Sequence, residues 1–241
     1  MRKLLLLTAL LMSFTCPALA ESIPIKFTLD WKIQGVHGWF YLAKQKGYFD
    51  AEGLDVTIDQ GEGSAATVSR IMSGAYDAGF GDMNAIIQNA ATKPDDAPVM
   101  VYQIYNQPPF AVLTKTGGPV KSLASLEGLT VGAPPGSAST KLFPALATAA
   151  GFDANKVELL SVQKNLQEQM LIQDQVSASL VFNVTSYLNI IGIGMDPDKD
   201  FTWYPYGASG LDIYSNGVMV SPKLLKEKPE AVQGLVNAIA K

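Results

Sequence analysis

The chain has 241 residues, 48% of them apolar, with 18 basic and 22 acidic side chains, one histidine and one cysteine. A net charge of −4 argues against nucleic acid and anionic membrane surfaces as partners, because both attract clustered positive charge. So few cysteines and histidines exclude a disulfide framework, thiolate zinc sites and a His-rich metal centre, and any Ser-His-Asp arrangement would depend entirely on His37.

Residues 1–20 read as an export signal. Arg2 and Lys3 precede an apolar run, 4–14, that is too short to span a bilayer, and Ala18-Leu19-Ala20 predicts cleavage after Ala20. Ser13-Phe14-Thr15 makes a poor lipidation signal before Cys16, so the expectation is an exported protein without cysteine. Without Arg2 and Lys3, 16 basic residues face the same 22 acidic ones. No later apolar run approaches the ~20 residues of a membrane-spanning helix.

The stretch 27–63 organises the rest. A short apolar strand ends in Asp30-Trp31, a glycine-containing loop carries His37, and a helical segment closes at Gly47. A second strand, 54–58, then empties into Gly61-Glu62-Gly63-Ser64. Strand, loop, helix and strand open a parallel α/β sheet, whose ligand-handling loops sit at the carboxyl ends of the strands. A helix follows over 64–73, with Val68, Ile71 and Met72 on one face, then a strand over 77–80, a helix over 85–91 and a strand over 99–105. This alternation predicts a parallel sheet covered on both faces.

The rhythm breaks at Asn106-Gln107-Pro108-Pro109, and a second α/β set begins. Strands are predicted over 110–114, 129–133, 157–162, 178–182 and 201–204, with helices over 139–150, 164–175 and 187–193. After a second breaker, Tyr206-Gly207-Ala208-Ser209-Gly210, come a strand over 213–220 and helices over 222–226 and 230–240. The expected division is a first lobe of 21–109 plus 213–241 and a second lobe of 110–212. The last helix has no cap glycine or turn signal, so the first lobe reads as incomplete at its C-terminus.

The string Thr28-Leu29-Asp30-Trp31, His37, Tyr41-Leu42-Ala43, Lys46-Gly47-Tyr48-Phe49, Glu52-Gly53-Leu54-Asp55-Val56 resembles the start of ABC-transporter substrate-binding proteins. The similarity is to the branch that binds thiamine-pyrimidine precursors, with nitrate, taurine and alkanesulfonate binders as cousins. Residues 73–81 and 126–132 continue it, and it covers about 24–222. It implies an α/β fold of the two-lobed type II periplasmic binding protein kind, with two hinge crossings and a central ligand cleft. It also implies a small-molecule ligand, an inner-membrane ABC permease as partner, a periplasmic location, a monomer and no cofactor. The chain departs from the family's pattern in two places. The loop Lys32-Ile33-Gln34-Gly35-Val36 is more apolar than the Asn-rich loop of pyrimidine-precursor binders, and the cysteine-rich iron motif of the eukaryotic pyrimidine synthases is missing.

Eight residues stand out as ligand contacts: Asp30, Trp31, His37, Ser64 and Asp82 in the first lobe, Ser137 and Asn183 in the second, and Asp212 at the return crossing. Five of them also have a plainer reading. Trp31 can pack under the sheet edge, His37 can bond to backbone, Asp82 can cap a helix, and Ser64 and Ser137 can simply start helices. The glycine-serine helix starts at 61–64 and 136–140 would clamp a small polar ligand if they faced one cleft. Asp30, Glu62, Asp82 and Asp212 all fall at predicted loop edges, with Lys32 the only base nearby. Such a site suits a nitrogen-bearing planar molecule better than a sulfonate. The rival expectations are a small anion in the same fold, a pyrimidine-synthase-like enzyme, and a receptor ectodomain serving signalling.

Overall fold

The computed structural model describes residues 21–241, so the expected export signal and its cleavage after Ala20 lie outside the described residues. The chain runs β1 (Ile23–Thr28), α1 (Gly38–Gln45), α2 (Tyr48–Ala51), β2 (Leu54–Asp59), α3 (Ser64–Met72), β3 (Ala78–Asp82), α4 (Met83–Ala90) and β4 (Val99–Gln103). It continues through β5 (Phe110–Lys115), β6 (Thr130–Ala133), α5 (Ala138–Ala150), β7 (Glu158–Ser161), α6 (Gln167–Ile172), β8 (Ala178–Phe182), α7 (Asn183–Gly192) and β9 (Phe201–Pro205). It closes with β10 (Asn216–Val220), α8 (Pro222–Glu227) and α9 (Pro229–Ala240). Among the described residues no helix is long and apolar enough to cross a membrane.

Two five-stranded sheets form, in the orders β2-β1-β3-β10-β4 and β7-β6-β8-β5-β9. The chain passes from the first to the second between β4 and β5, and returns between β9 and β10.

The expectation of a wholly parallel sheet is corrected, because both sheets are mixed. β10 lies antiparallel between β3 and β4, and β5 lies antiparallel between β8 and β9. Register gives the reason. Asn216, the first residue of β10, pairs with Asp82 at the end of β3, and Phe110, the first of β5, pairs with Phe182 at the end of β8. Each crossing therefore enters its new sheet from the carboxyl edge, the edge that faces the other lobe, and must run back against its neighbours. Parallel entry would need a crossover helix instead.

Both sheets are covered on two faces. Phe27, Leu29, Phe40, Phe49, Phe80, Val218 and Leu235 pack on one face of the first sheet, and Val68, Ile71 and Met219 on the other. In the second lobe, Leu126, Phe143, Leu146, Leu180 and Tyr206 form one core and Leu113, Val181, Ile190 and Phe201 the other. The central strands β3 and β10 are buried along their whole length, whereas the edge strand β7 is exposed throughout.

Two elements differ in extent from their sequence pattern. α6 spans only Gln167–Ile172, and α7 starts at Asn183, earlier than its apolar period suggests. At its start the Asn183 side-chain oxygen accepts the Val184 N–H at 2.6 Å, while Thr185 donates its hydroxyl to the Phe182 carbonyl at 3.1 Å.

Candidate ligand-binding site

The carboxyl edges of the two sheets face one another, and a cavity of about 40 Å³ lies between them. From the first lobe it is lined by Asp30, Trp31, Gln34, Val36, His37, Ser64 and Phe80, and from the second by Phe110, Ser137, Ala138, Ser139, Gln167, Phe182 and Thr185. The aromatic members make an apolar slot, joined across the lobes by Tyr105 packing edge-on to both Phe80 and Phe182. The volume holds a few waters at most. A heterocycle enters only if the lobes part or the walls yield.

The polar floor is a buried network. The His37 Nδ1 accepts the Gln34 N–H at 3.1 Å, so Nε2 carries the hydrogen and donates it to Asp30 Oδ1 at 2.9 Å. Asn216 Nδ2 donates to the other Asp30 oxygen at 2.7 Å. Ser215 Oγ lies 2.9 Å from Asn216 Oδ1 and 2.7 Å from Asp82 Oδ2. These bonds fix the Asp30 carboxylate while leaving it lone pairs toward the cavity. They also use both His37 nitrogens, so His37 orients Asp30 and offers the cavity only its ring.

Ser64 Oγ accepts the Asp82 N–H at 3.0 Å, and its own hydrogen has no acceptor among the described residues. Across the cavity, Ser137 is fully occupied, accepting the Thr140 N–H at 3.2 Å and bonding the hydroxyls of Ser139 and Thr140. Gln167, 5% exposed, donates through Nε2 to the Leu180 carbonyl at 2.9 Å. Second-lobe packing near these groups is set by the wholly buried Tyr206, whose hydroxyl donates to the Ser139 carbonyl at 2.8 Å.

The two glycine-serine helix starts meet each other directly. A Cβ on Gly63, where φ is +110°, would sit 2.4 Å from the Gly136 carbonyl oxygen. Beside this seam Lys164 reaches from the second lobe to pair with Glu62, donates to the Gly61 carbonyl at 3.2 Å, and lies 5.3 Å above the centre of the Trp31 ring. An outer cavity of about 280 Å³, lined by Trp31, Glu62, Pro134, Pro135 and Lys164 among others, opens on this side, so Trp31 borders both spaces.

Five of the eight singled-out residues come together on the cavity wall: Asp30, Trp31, His37, Ser64 and Ser137. Three do not. Asp82 is buried behind Ser64, caps α4 through the Asn84 N–H at 2.8 Å, and touches the site only indirectly, through its backbone N–H to Ser64 and its carboxylate to Ser215. Burial pushes its carboxyl above the usual range, against the hydrogen bonds from Ser215 and Asn84. Asn183 lines a separate apolar groove of about 370 Å³ with Leu188 and Trp203, and Asp212 is exposed on the return crossing. The base against the cleft is Lys164, not Lys32. Gln34, Gln167, Ser215 and Asn216 escaped the sequence reading. The signal for the last two is a polar pair opening a strand that is otherwise wholly apolar.

A family model described as NMT1/THI5 like matches residues 34–241. The riboflavin-binding protein RibY of Chloroflexus aurantiacus is 24% identical over 204 residues, 83% of this chain and 55% of that protein. The formylaminopyrimidine-binding protein of Halalkalibacterium halodurans is 30% identical over 139 residues, 57% of this chain and 41% of that one. A 4-amino-5-hydroxymethyl-2-methylpyrimidine phosphate synthase of Aspergillus parasiticus is 33% identical over 110 residues, 45% of this chain and 31% of the enzyme. The chain thus spans about half the length of the curated relatives it matches, or less. Among solved structures, the alkanesulfonate-binding protein SsuA of Xanthomonas axonopodis pv. citri, bound to MOPS, superposes with a TM-score of 0.71 at 16% identity, covering 91% of this chain and 73% of the other. That likeness carries the fold: the two-lobed architecture of periplasmic binding proteins.

Proposed function

We propose, for a chain that belongs to the NMT1/THI5-like family, that it is the substrate-binding component of an ABC importer for a small nitrogen-bearing planar molecule such as a thiamine-type pyrimidine precursor. One observation carries the reading. The cavity is lined by the carboxylate of Asp30 and by no lysine or arginine, with aromatic walls on both lobes.

Magnitudes decide against an anion. The starts of α3 and α5 border the cavity, and each helix N-terminus favours a negative charge by about 0.3–1 kcal/mol when exposed and up to about 2 kcal/mol when partly buried with its N–H groups free. An anion about 5 Å from Asp30 is opposed by roughly 3 kcal/mol at an effective dielectric constant near 20. The α3 start is also partly spent, since the Ala65 N–H points to the Gly136 carbonyl at 3.4 Å. N–H groups on a heterocycle turn the same carboxylate into a strong acceptor, worth about 1.5–3 kcal/mol per hydrogen bond. The formylaminopyrimidine-binding relative supports this class, and RibY widens it to other flat nitrogen heterocycles.

Binding rather than catalysis is the reading for the whole chain. The described residues contain no cysteine and no group of three or more histidine, cysteine, aspartate or glutamate side chains able to hold a metal ion. His37 is committed to Asp30 and to backbone. The proposed setting is periplasmic, with an inner-membrane permease as partner and the protein acting as a monomer.

The test is native mass spectrometry of protein purified without denaturation. A retained nitrogen heterocycle supports the assignment. A retained sulfonate, or formation of a pyrimidine phosphate by the protein, overturns it.

A further inference from the structure

Gln167 is 5% exposed and lines the cavity from the second lobe, opposite Asp30 of the first. Amide orientation is often ambiguous, but here the bonding decides it. The nitrogen end lies 2.9 Å from the Leu180 carbonyl, which can only accept, so that end must be Nε2. The other end, Oε1, accepts no hydrogen bond from the described residues. It is therefore the edge that the side chain offers to the cavity. The backbone behind it is tied as well, since Ser179 Oγ donates to the Gln167 carbonyl at 3.1 Å. The acceptor cannot swap ends without placing an oxygen against the Leu180 carbonyl.

We infer that Gln167 is a specificity-determining residue whose fixed side-chain oxygen accepts an N–H from the ligand, so that acceptors face it from both lobes: Asp30, beside the unpartnered Gln34 oxygen, from the first and Gln167 from the second. The inference rests on the proposed reading and narrows it. The ligand is a flat heterocycle with hydrogen-bond donors on two opposed edges, an amino-substituted ring or a ring bearing an amino and an amide N–H. A ligand with a donor on one edge alone leaves one buried acceptor without a partner, which disfavours it. Discrimination then arises in the closed form, because only closure brings the acceptors of both lobes onto the same molecule.

The test is calorimetric titration of the full chain with formylaminopyrimidine, using wild type and Gln167→Met, which keeps side-chain length and removes the acceptor together with the Nε2 donor to Leu180. The expected result is binding by wild type and about a tenfold loss in Gln167→Met, the equivalent of one neutral hydrogen bond with its partner left unmet. Equal affinity in both proteins overturns the role of Gln167 while leaving the proposed function standing. No binding of formylaminopyrimidine or of riboflavin by wild type overturns both. Thermal melting checks that Gln167→Met folds. If it does not, a crystal structure of the wild-type complex decides: a ligand nitrogen within about 3.2 Å of Oε1 is expected. An Oε1 that faces a carbon or a ligand acceptor overturns the assignment.

Discussion

The ammonium of Lys164 stands 5.3 Å above the ring centre of Trp31, joining the second lobe to the first at the rim of the cavity. The same group pairs with Glu62 and donates to the Gly61 carbonyl. A cation on a tryptophan face contributes about 0.5–2 kcal/mol, depending on how far it is desolvated. A partly exposed ion pair adds ~0–1 kcal/mol. Together they bias the lobes toward the closed arrangement without locking them.

Replacing Lys164 with Met is therefore expected to weaken ligand binding about three- to tenfold, mostly by faster release, with little change in melting temperature. Salt should weaken binding by wild type more than by the variant, since the screened pair is gone. Stopped-flow release at two ionic strengths checks this. Unchanged release, or equal salt dependence, contradicts the role of Lys164.

The glycine seam makes a steric prediction. Gly63 adopts a φ of +110° and leaves no room for a Cβ against the Gly136 carbonyl. In Gly63→Ala the methyl group holds the lobes apart, and the backbone strain costs about 1–3 kcal/mol. Small-angle scattering of the liganded variant should show a larger radius of gyration than liganded wild type, with affinity reduced more than tenfold. Identical scattering curves would mean that the seam does not limit closure.

Asp82 gives a pH signature. Burial raises its carboxyl in the folded chain, so the folded state holds this proton more tightly than the unfolded state does. The stabilising contribution is present at acid pH and is lost as pH rises from the ordinary carboxylate range through the raised value. Asn at this position can still accept the Asn84 N–H and meet Ser215. Melting curves of Asp82→Asn from acid to neutral pH should therefore fall less steeply than those of wild type. Parallel curves contradict the assignment.

The parts of the molecule that obey periodicity were legible in the sequence. β2, α3, β8 and α9 announce themselves through alternation, a 3.6-residue face or a breaker at each end. The two crossings were visible at Pro108-Pro109 and Gly207–Gly210 because breakers interrupt both. The antiparallel entry of β5 and β10 was not, because strand direction depends on which sheet edge the chain reaches and no local pattern encodes it. The site divides in the same way. Asp30 and Trp31 follow β1 closely, and Ser64 opens the helix reached by the short glycine loop after β2, so all three lie at a carboxyl edge. Gln167 and Lys164 belong to a segment with an amphipathic pattern that the fold shortens to Gln167–Ile172, and their placement depends on how two separately folded lobes meet. Asp212 stands at the return crossing, yet the chain uses Ser215 and Asn216 a few residues later, where it becomes buried and β10 begins.

The central claim is that the cleft takes a donor-rich, uncharged or cationic heterocycle. Parallel calorimetric titrations of the same preparation with formylaminopyrimidine, taurine and nitrate test it most directly. Binding of the pyrimidine with no heat from either anion is the predicted result. Tight binding of taurine or nitrate, with no response to the pyrimidine, would contradict it.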